Sequence, residues 1–344
     1  MQLAYSITAH RNPSQLRRML AAIYDPKDLF IIHVDARAPD VRRVALSFAA
    51  SAGPNVHVMH SRRVVWAGWS QTRTQLAMMS HALSSSAGSD DAHVDAHGDA
   101  HRDPRGEAHG DTRGRWDYFL NLSGQDYPIR TSEQIRSWLS ERGPGKNYFD
   151  VLDFTAAPAE IRPRMNFYHF ELAGKLRRLH KQRPAPKDLN VYWGSTWFIA
   201  SRELCALAVN SPLAARCRKA IRFARSSDEI FFQTLLMNSP LRHTLVRDHR
   251  RKIVWEGGSH PRTFSTSDTA DLLAADAFFA RKFDDATDSA ILETIDRELL
   301  NGKSDALSTP AAMPLLTQRP PVEVSLTSAS LHPLHSDEFG LEPA

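Results

Sequence analysis

The chain has 344 residues, which is enough for one large domain or two small ones. Its composition, with 42% hydrophobic and 24% charged residues, is that of a soluble globular protein. The net charge of +4 comes without a dense Lys/Arg arm, so nucleic acid is not expected as a partner. The only cysteines, Cys205 and Cys217, fit neither a zinc pattern nor a disulfide framework, which favours a reducing compartment.

Neither a signal peptide nor an apolar run of the roughly 20 residues that a membrane span requires is visible in the sequence. We therefore expect a cytoplasmic protein. The mildly basic charge balance also suits anionic small molecules or a membrane surface, so peripheral membrane contact stays open.

Strands that alternate with helices fill the first half of the chain. Apolar runs predict strands at residues 3–9, 29–35, 55–59 and 117–122. Amphipathic spacing and cap residues predict helices at 12–23, 70–83 and 131–139, the last with a capping box. This alternation predicts an α/β fold with a mostly parallel central sheet.

The second half of the chain is mixed. It predicts strands at 190–200 and 252–255 and helices at 228–236 and 288–300. Residues 1–300 are therefore read as one α/β domain. Residues 301–344 are rich in Pro, Ser and Thr without periodicity, which predicts a disordered tail.

A low-complexity insertion at 84–115 interrupts the domain. His93, His97 and His101 are four residues apart, which on a helix would align three imidazoles for a metal. Gly98 and Pro104 argue against a helix there, so a solvated insertion is the favoured interpretation.

An open α/β sheet collects its ligands beyond the carboxyl ends of its strands. Asp35 ends a predicted strand and is placed either to meet a nucleoside or to satisfy a turn. Many sugar-nucleotide transferases hold a metal with Asp-x-Asp at a strand end, and no such pair is found here. A diphosphate would then be met by Arg281 and Lys282, supported by Arg251, unless these cations are merely solvated.

Glu229 is the candidate general base. It opens an apolar helix in the run Ser-Ser-Asp-Glu, and its spacing from Ser226 matches a capping box. Spacing alone favours a capping role, although the two roles do not exclude each other. Partial positive charge at a helix N-terminus would also favour the ionised carboxylate that a base requires.

Two Trp-rich stretches, 64–70 and 192–198, suit either packing or sugar stacking, and packing is the commoner fate. A basic segment at 162–187 lies between them. It is either a solvated lid or a contact for an anionic acceptor or membrane surface.

The order of these pieces, from about residue 3 to residue 300, resembles the core-2/I-branching N-acetylglucosaminyltransferase and peptide O-xylosyltransferase family. The matching blocks are residues 31–35, Val65-Trp66 with Gly68 and Ser70, 122–129, 193–198, 228–232, 238–240 and 279–283. Each block is modest alone, and their shared order makes the resemblance strong.

The resemblance implies a GT-A-type fold and an inverting, metal-independent transfer of a sugar from a UDP donor to an acceptor hydroxyl, with no cofactor. It implies that Glu229 is the base, with Asp126 at the mouth of the site. The diphosphate ligands it implies are Arg281, Lys282 and Arg251. The nucleoside contacts it implies are Asp35 and the segment from Val64 to Trp66.

The donor sugar is expected to be xylose or N-acetylglucosamine, because blocks 238–240 and 278–283 look closer to the xylosyltransferase branch. The acceptor could be a glycan, a polypeptide or another hydroxyl compound. Alternatives are a β-1,6-N-acetylglucosaminyl branching enzyme and a sugar-nucleotide or glycan-binding module without turnover.

Overall fold

The computed structural model describes residues 1–87, 116–256, 260–300 and 323–324. The strands are β1 (Leu3–Ala9), β2 (Leu29–Val34), β3 (Val56–Met59), β4 (Tyr118–Ser123), β5 (Asp126–Pro128), β6 (Asn147–Phe149), β7 (Leu152–Asp153), β8 (Phe167–Leu172), β9 (Lys175–Gln182), β10 (Tyr192–Trp193), β11 (Phe198–Ser201), β12 (Leu245–Val246), β13 (Arg251–Ile253), β14 (Phe279–Arg281) and β15 (Glu323–Val324). The helices are α1 (Pro13–Ile23), α2 (Pro39–Ala52), α3 (Trp69–Ala87), α4 (Ser132–Glu141), α5 (Pro163–Asn166), α6 (Arg202–Asn210), α7 (Pro212–Ile221), α8 (Phe231–Met237), α9 (Thr269–Ala274) and α10 (Ala290–Leu299).

An eight-stranded sheet organises the fold, in the order β12, β6, β11, β4, β1, β2, β3, β15. Its centre is parallel, because β1 pairs in parallel with both β2 and β4, and β2 with β3. One strand, β11, runs antiparallel to both β4 and β6. The predicted α/β class, with a mostly parallel sheet that is mixed in its second half, is confirmed.

Apolar side chains cover both faces of the sheet. Along β1, Tyr5 belongs to a core shared with α1 and α2, whereas the neighbouring Ala4 belongs to a core shared with α3 and α6. Successive side chains of a strand point to opposite faces, so this alternation places a helical layer on each side. Strands that are buried on both faces are typically continuous apolar runs, as predicted for β2.

Several predicted elements differ in detail from the structure. Helix α2 was not predicted, and α3 continues beyond residue 83 to Ala87. The predicted strand 190–200 is interrupted at Gly194, whose N–H donates to the Glu229 carbonyl at 2.9 Å. A Cβ at this glycine would lie 1.9 Å from the Asp150 carbonyl oxygen, so the backbone approach there requires glycine.

The capping box predicted for the fourth helix is confirmed in α4. The Gln134 N–H donates to Thr131 Oγ1 at 3.2 Å, and the Thr131 N–H donates back to Gln134 Oε1 at 2.9 Å. Such reciprocal bonds satisfy N–H groups that a helix terminus would otherwise leave without partners.

The insertion between 88 and 115 lies outside the described residues, as does the tail except for β15, which pairs in parallel with β3. The solvated insertion, the disordered tail and the alternative that the three histidines hold a metal therefore stay predictions. Within the described part of the chain, no helix combines the length and apolarity that a bilayer span needs.

Candidate active site

A separate three-stranded sheet, in the order β13, β14, β5, lies beyond the carboxyl end of β4 and sets the position of Arg281. Antiparallel pairing of β14 with β5 places Arg281 opposite Asp126. The guanidinium donates to Asp126 Oδ1 at 2.9 Å and lies 3.9 Å from the centre of the Trp197 ring. A carboxylate and an aromatic face thus hold Arg281 in a fixed orientation.

Asp126 was predicted at the mouth of the site, and the structure places it in the interior instead. Its carboxylate is fully buried, pairs with Arg281 and accepts the Ser123 N–H at 3.0 Å. From this buried position it cannot touch an acceptor, and it contacts the cations Arg281 and Arg251 instead.

Arg251 also lies behind the surface that a diphosphate could reach. Its side chain is fully buried, with Nε 3.7 Å from Asp126 Oδ2, and it donates to the Asn121 carbonyl oxygen. Burial, opposed by the charge of Asp126, lowers the pKa of Arg251 to about 10, so the group stays cationic at neutral pH. In the structure Arg251 thus supports Asp126, and its direct contact with a phosphate stays a prediction.

Lys282 is the most accessible of the three predicted cations. It is partly exposed and forms no ion pair with any described residue. Desolvation, followed by the charges of Arg11 and Arg281, lowers the pKa of its ammonium. Repulsion among neighbouring cations is relieved when an anion binds between them.

Asp35 lies at the end of β2, as predicted, and orders the loop that contains Val64. Its Oδ2 accepts the Val64 N–H at 2.9 Å, and Arg37 donates to both carboxylate oxygens at 2.8 Å. Burial opposes ionisation, but the hydrogen bonds from Arg37 and Val64 hold the pKa of Asp35 well below its usual range. Arg37, which is half-exposed, was not predicted.

Trp66 follows this loop with 56% of its surface exposed. Its ring centre lies 5.5 Å from that of His260, and the Arg225 guanidinium lies 5.8 Å from the ring. Trp69, in contrast, packs edge-on against Phe231 inside the fold. Packing is therefore the role of Trp69, whereas Trp66 presents its ring to the site.

His10 is the first residue after β1. It lies near both Asp35, a predicted nucleoside contact, and Lys282, a predicted diphosphate ligand. Desolvation and the charge of Arg11 lower the pKa of this imidazole. Asp35, Arg37 and Lys282 also act electrostatically on the ring. Residues predicted from distant parts of the sequence therefore converge at the carboxyl edge of the sheet, as expected for an open α/β fold.

Glu229 ends a short 3₁₀ turn, Ser227–Glu229, that precedes α8. The predicted capping box is wrong. Ser226 has a left-handed backbone (φ 53°), and its side chain makes no capping bond. Its backbone N–H, which a capping box would direct to the Glu229 side chain, donates instead to the Ala67 carbonyl at 2.7 Å. Glu229 is thus free of a capping duty, and its carboxylate forms an ion pair with Arg164.

The surroundings of Glu229 favour its protonated form more than water would. Burial first, and then the adjacent charge of Asp228, raise the pKa of Glu229 to about 7, while Arg164 opposes the rise. Asp228 is itself buried and accepts a hydrogen bond from Thr196 Oγ1 at 2.7 Å. The Glu229 side chain remains 31% exposed, so an acceptor can reach it.

A backbone hydrogen bond and a side-chain hydrogen bond connect the Glu229 turn to the other parts of the site. The Ser226 N–H joins it to Ala67 in the loop after Val64. Thr196, the hydrogen-bond donor to Asp228, directly precedes Trp197, the ring beneath Arg281. The carboxylate and the cations thus belong to one connected arrangement.

Arg164, like Arg37 and His10, is a residue of the site that sequence reasoning missed. It belongs to α5, at the start of the basic segment 162–187, where charge was noted without a specific partner. Its backbone carbonyl accepts the Arg225 N–H at 2.9 Å, which fixes α5 against the turn that carries Glu229. No spacing rule relates two residues that meet only after the chain has folded.

The described residues contain no group of three or more His, Cys, Asp and Glu side chains arranged to hold a metal ion. Cationic side chains, in contrast, converge at the carboxyl edge of the sheet. These cations suit an anionic ligand, and the carboxylate of raised pKa that remains accessible beside them is Glu229.

Comparison with known proteins gives relatives that are glycosyltransferases by name. The chain is 29% identical over 87% of its length to Xylosyltransferase 2 of Rattus norvegicus, of which it spans about a third (34%). It is 25% identical over 86% of its length to Beta-1,3-galactosyl-O-glycosyl-glycoprotein beta-1,6-N-acetylglucosaminyltransferase 3 of Ovis aries, covering 67% of that protein.

Solved structures show weaker likeness. Mouse xyloside xylosyltransferase 1 in its apo form aligns with 81% of this chain and 97% of its own, at 10% identity and a TM-score of 0.32. TarS 1–349 of S. aureus aligns with 70% of this chain and 56% of its own, at 8% identity and a TM-score of 0.33.

The family comparison covers most of the sequence and includes the segments that carry Asp35, Glu229 and Arg251. The Core-2/I-Branching enzyme model matches residues 3–90 and 110–274. The match ends before the block that carries Arg281 and Lys282, but it covers more than half of the chain, and the chain belongs to the Core-2/I-Branching enzyme family.

Proposed function

We propose that this protein is an inverting, metal-independent glycosyltransferase of GT-A type that moves a sugar from a UDP donor to an acceptor hydroxyl. The observation that carries the proposal is Glu229, an accessible carboxylate of raised pKa. Its turn is hydrogen-bonded, through the Ser226 N–H, to Ala67, the residue that follows the predicted nucleoside segment from Val64 to Trp66. A base that works near neutral pH needs a pKa in this range.

In the proposed reaction, Glu229 accepts the proton of the acceptor hydroxyl. The hydroxyl oxygen forms a bond to the anomeric carbon from the face opposite UDP, and the bond from that carbon to the diphosphate oxygen breaks. The electron pair departs with UDP. Lys282 and Arg281 stabilise the charge that develops on the leaving diphosphate, and Asp126 and Arg251 keep Arg281 in position.

For the nucleoside, the structure favours an indirect role of Asp35. Both of its oxygens are already bonded to Arg37 and to the Val64 backbone, so it orders the loop that would meet the base and ribose. Trp66 then offers an exposed ring beside this loop. Ligand binding that displaces Arg37 would free the carboxylate for direct contact.

The donor sugar that we propose is xylose or N-acetylglucosamine, with xylose slightly ahead, and the acceptor is a glycan, a polypeptide or another hydroxyl compound. The names of the relatives support both sugars. A competition assay with UDP-xylose and UDP-N-acetylglucosamine at equal concentration tests this choice. Turnover of UDP-glucose or UDP-galactose alone would contradict it, and UDP binding without any turnover would favour a binding module.

Transfer should persist in excess EDTA. The reason is that side-chain cations replace the metal that Asp-x-Asp enzymes place on the diphosphate. The assay compares initial rates with and without chelator, followed by added Mn²⁺. A rate that EDTA abolishes and Mn²⁺ restores would show that a metal belongs to the reaction.

Arg164→Met should move the acid limb of the kcat/KM pH profile to higher pH. Glu229 must be ionised to act, so activity rises as pH increases through its pKa, about 7. Removing the cation that favours the ionised form should raise this pKa further, by about one unit. Arg164→Lys keeps the charge and should restore the profile. An unchanged acid limb in Arg164→Met would show that the ion pair with Arg164 does not control the ionisation that the reaction requires.

A further inference from the structure

Strands β8 and β9 form an antiparallel hairpin within the basic segment. Residues 162–187 contain eight Lys and Arg side chains and one carboxylate, Glu171, which gives a net charge of +7. The whole chain has a net charge of +4, so the rest of the protein is net acidic. The net positive charge is therefore concentrated in this segment, and four of its cations, Lys175, Arg177, Arg178 and Lys181, lie on β9.

The inner face of the hairpin is attached to the protein. His169 is buried, and its N–H donates to the Phe223 carbonyl at 2.8 Å. Glu171 accepts the Ser70 N–H at 2.6 Å, at the start of α3. The one carboxylate of the segment is thus engaged with the protein and does not offset the charge of the outer face.

The outer face presents apolar and cationic side chains together. Residues that oppose each other across a strand pair share a face. The pairs on the outer face are Tyr168 with Leu179, Phe170 with Arg177, and Leu172 with Lys175. Exposure reaches 39% for Phe170, 59% for Leu172 and 50% for Leu179, which is unusual for large apolar side chains on one small ribbon.

We propose that this outer face docks the protein on an anionic lipid bilayer. Phe170, Leu172 and Leu179 would enter the headgroup boundary, while Lys175 and Arg177 contact lipid phosphates. Long basic side chains can lie along an apolar surface and keep their charge at the polar interface.

A soluble acidic polymer accounts for the charge of the hairpin but not for its leucines. Sugars stack on aromatic rings, and carboxylates or sulfates bind cations, so Leu172 and Leu179 would gain nothing from such a partner. An acyl region, in contrast, buries aliphatic side chains directly. The combination on one face therefore favours lipid.

Flotation with lipid vesicles tests the proposal without any sugar donor, so its outcome is independent of the transfer reaction. At about 0.1 M salt, the full chain should float with vesicles of about 30 mol% phosphatidylglycerol in phosphatidylcholine and not with pure phosphatidylcholine. A variant with Lys175→Gln and Arg177→Gln, the two cations of the outer face, should lose at least about tenfold in vesicle affinity.

A matched charge control removes two exposed cations of α7, by Arg216→Gln and Lys219→Gln, and should still float. Leu172→Ser with Leu179→Ser should also weaken vesicle binding about tenfold, yet leave retention on immobilised heparin unchanged. Melting temperatures equal to the wild-type value show that every variant is folded.

Three results would overturn the proposal. The first is the absence of binding to anionic vesicles. The second is a charge control that loses as much affinity as the hairpin variant. The third is a leucine variant that floats like the wild type, which would assign the hairpin to a soluble acidic partner.

Discussion

Glu229→Gln should lower kcat/KM by about 10²-fold or more while leaving the protein folded, because the acceptor hydroxyl loses its positioned base. The amide is nearly the same size as the carboxylate and can still accept a hydrogen bond from Arg164. Steady-state rates with the preferred UDP-sugar and acceptor measure the effect. Glu203→Gln, which changes an exposed carboxylate on α6, is the matched control and should retain full activity.

The stability of Glu229→Gln provides a second readout. The folded-state pKa of Glu229, about 7, lies above its usual value of 4.5. Such a carboxyl favours the folded state below its unfolded pKa, and this contribution is lost as pH rises through the folded pKa. Glutamine does not ionise, so at pH 8 the variant should melt at the wild-type temperature or higher. Wild-type activity in this variant would remove Glu229 from the proposed mechanism.

Lys282→Met should have the second largest effect, a fall in kcat/KM of about 10²-fold together with weaker UDP binding. The partly exposed ammonium has no ion-pair partner among the described residues, so its charge is available to the diphosphate. Titration calorimetry with UDP measures the binding change, and kinetics measures the rate. Lys252→Met, on the neighbouring strand β13 with Asp271 at 3.5 Å, is a matched control that should bind UDP normally.

Lys282 is a sharper probe than Arg281 because its removal leaves no buried charge behind. Arg281→Met would leave Asp126 buried without its closest cation, and breaking a buried pair in this way costs about 3–5 kcal/mol of stability. A loss of activity in that variant would not distinguish misfolding from the loss of a diphosphate contact. Unchanged UDP affinity in Lys282→Met, in contrast, would show directly that the ammonium does not contact the diphosphate.

Patterns of neighbouring residues determined the fold class and part of the site from the sequence alone. Continuous apolar runs give strands such as β2, and reciprocal Thr131 and Gln134 bonds start α4 as predicted. These features depend on residues a few positions apart, so local periodicity and cap chemistry are enough to find them. Asp35 at a strand end follows from the same reasoning.

The depth and partners of the charged residues were decided only by the tertiary structure. Asp126 and Arg281 are 155 positions apart in the chain, and the pairing of β5 with β14 brings them together in the interior. Glu229 and Arg164 are 65 positions apart and meet through α5. Spacing suggested a cap for Glu229, but the Ser226 N–H bonds to Ala67, and this long-range contact outweighed the local preference.

The sequence by itself therefore determined that Asp35 ends a strand and that Arg281 and Lys282 form a cation block, because strand ends and charge blocks are local features. The tertiary structure alone decided that Lys282 is accessible, that Arg251 is buried and that Glu229 has a raised pKa. Accessibility and pKa depend on every group that packs around a side chain, and most of those groups come from distant segments.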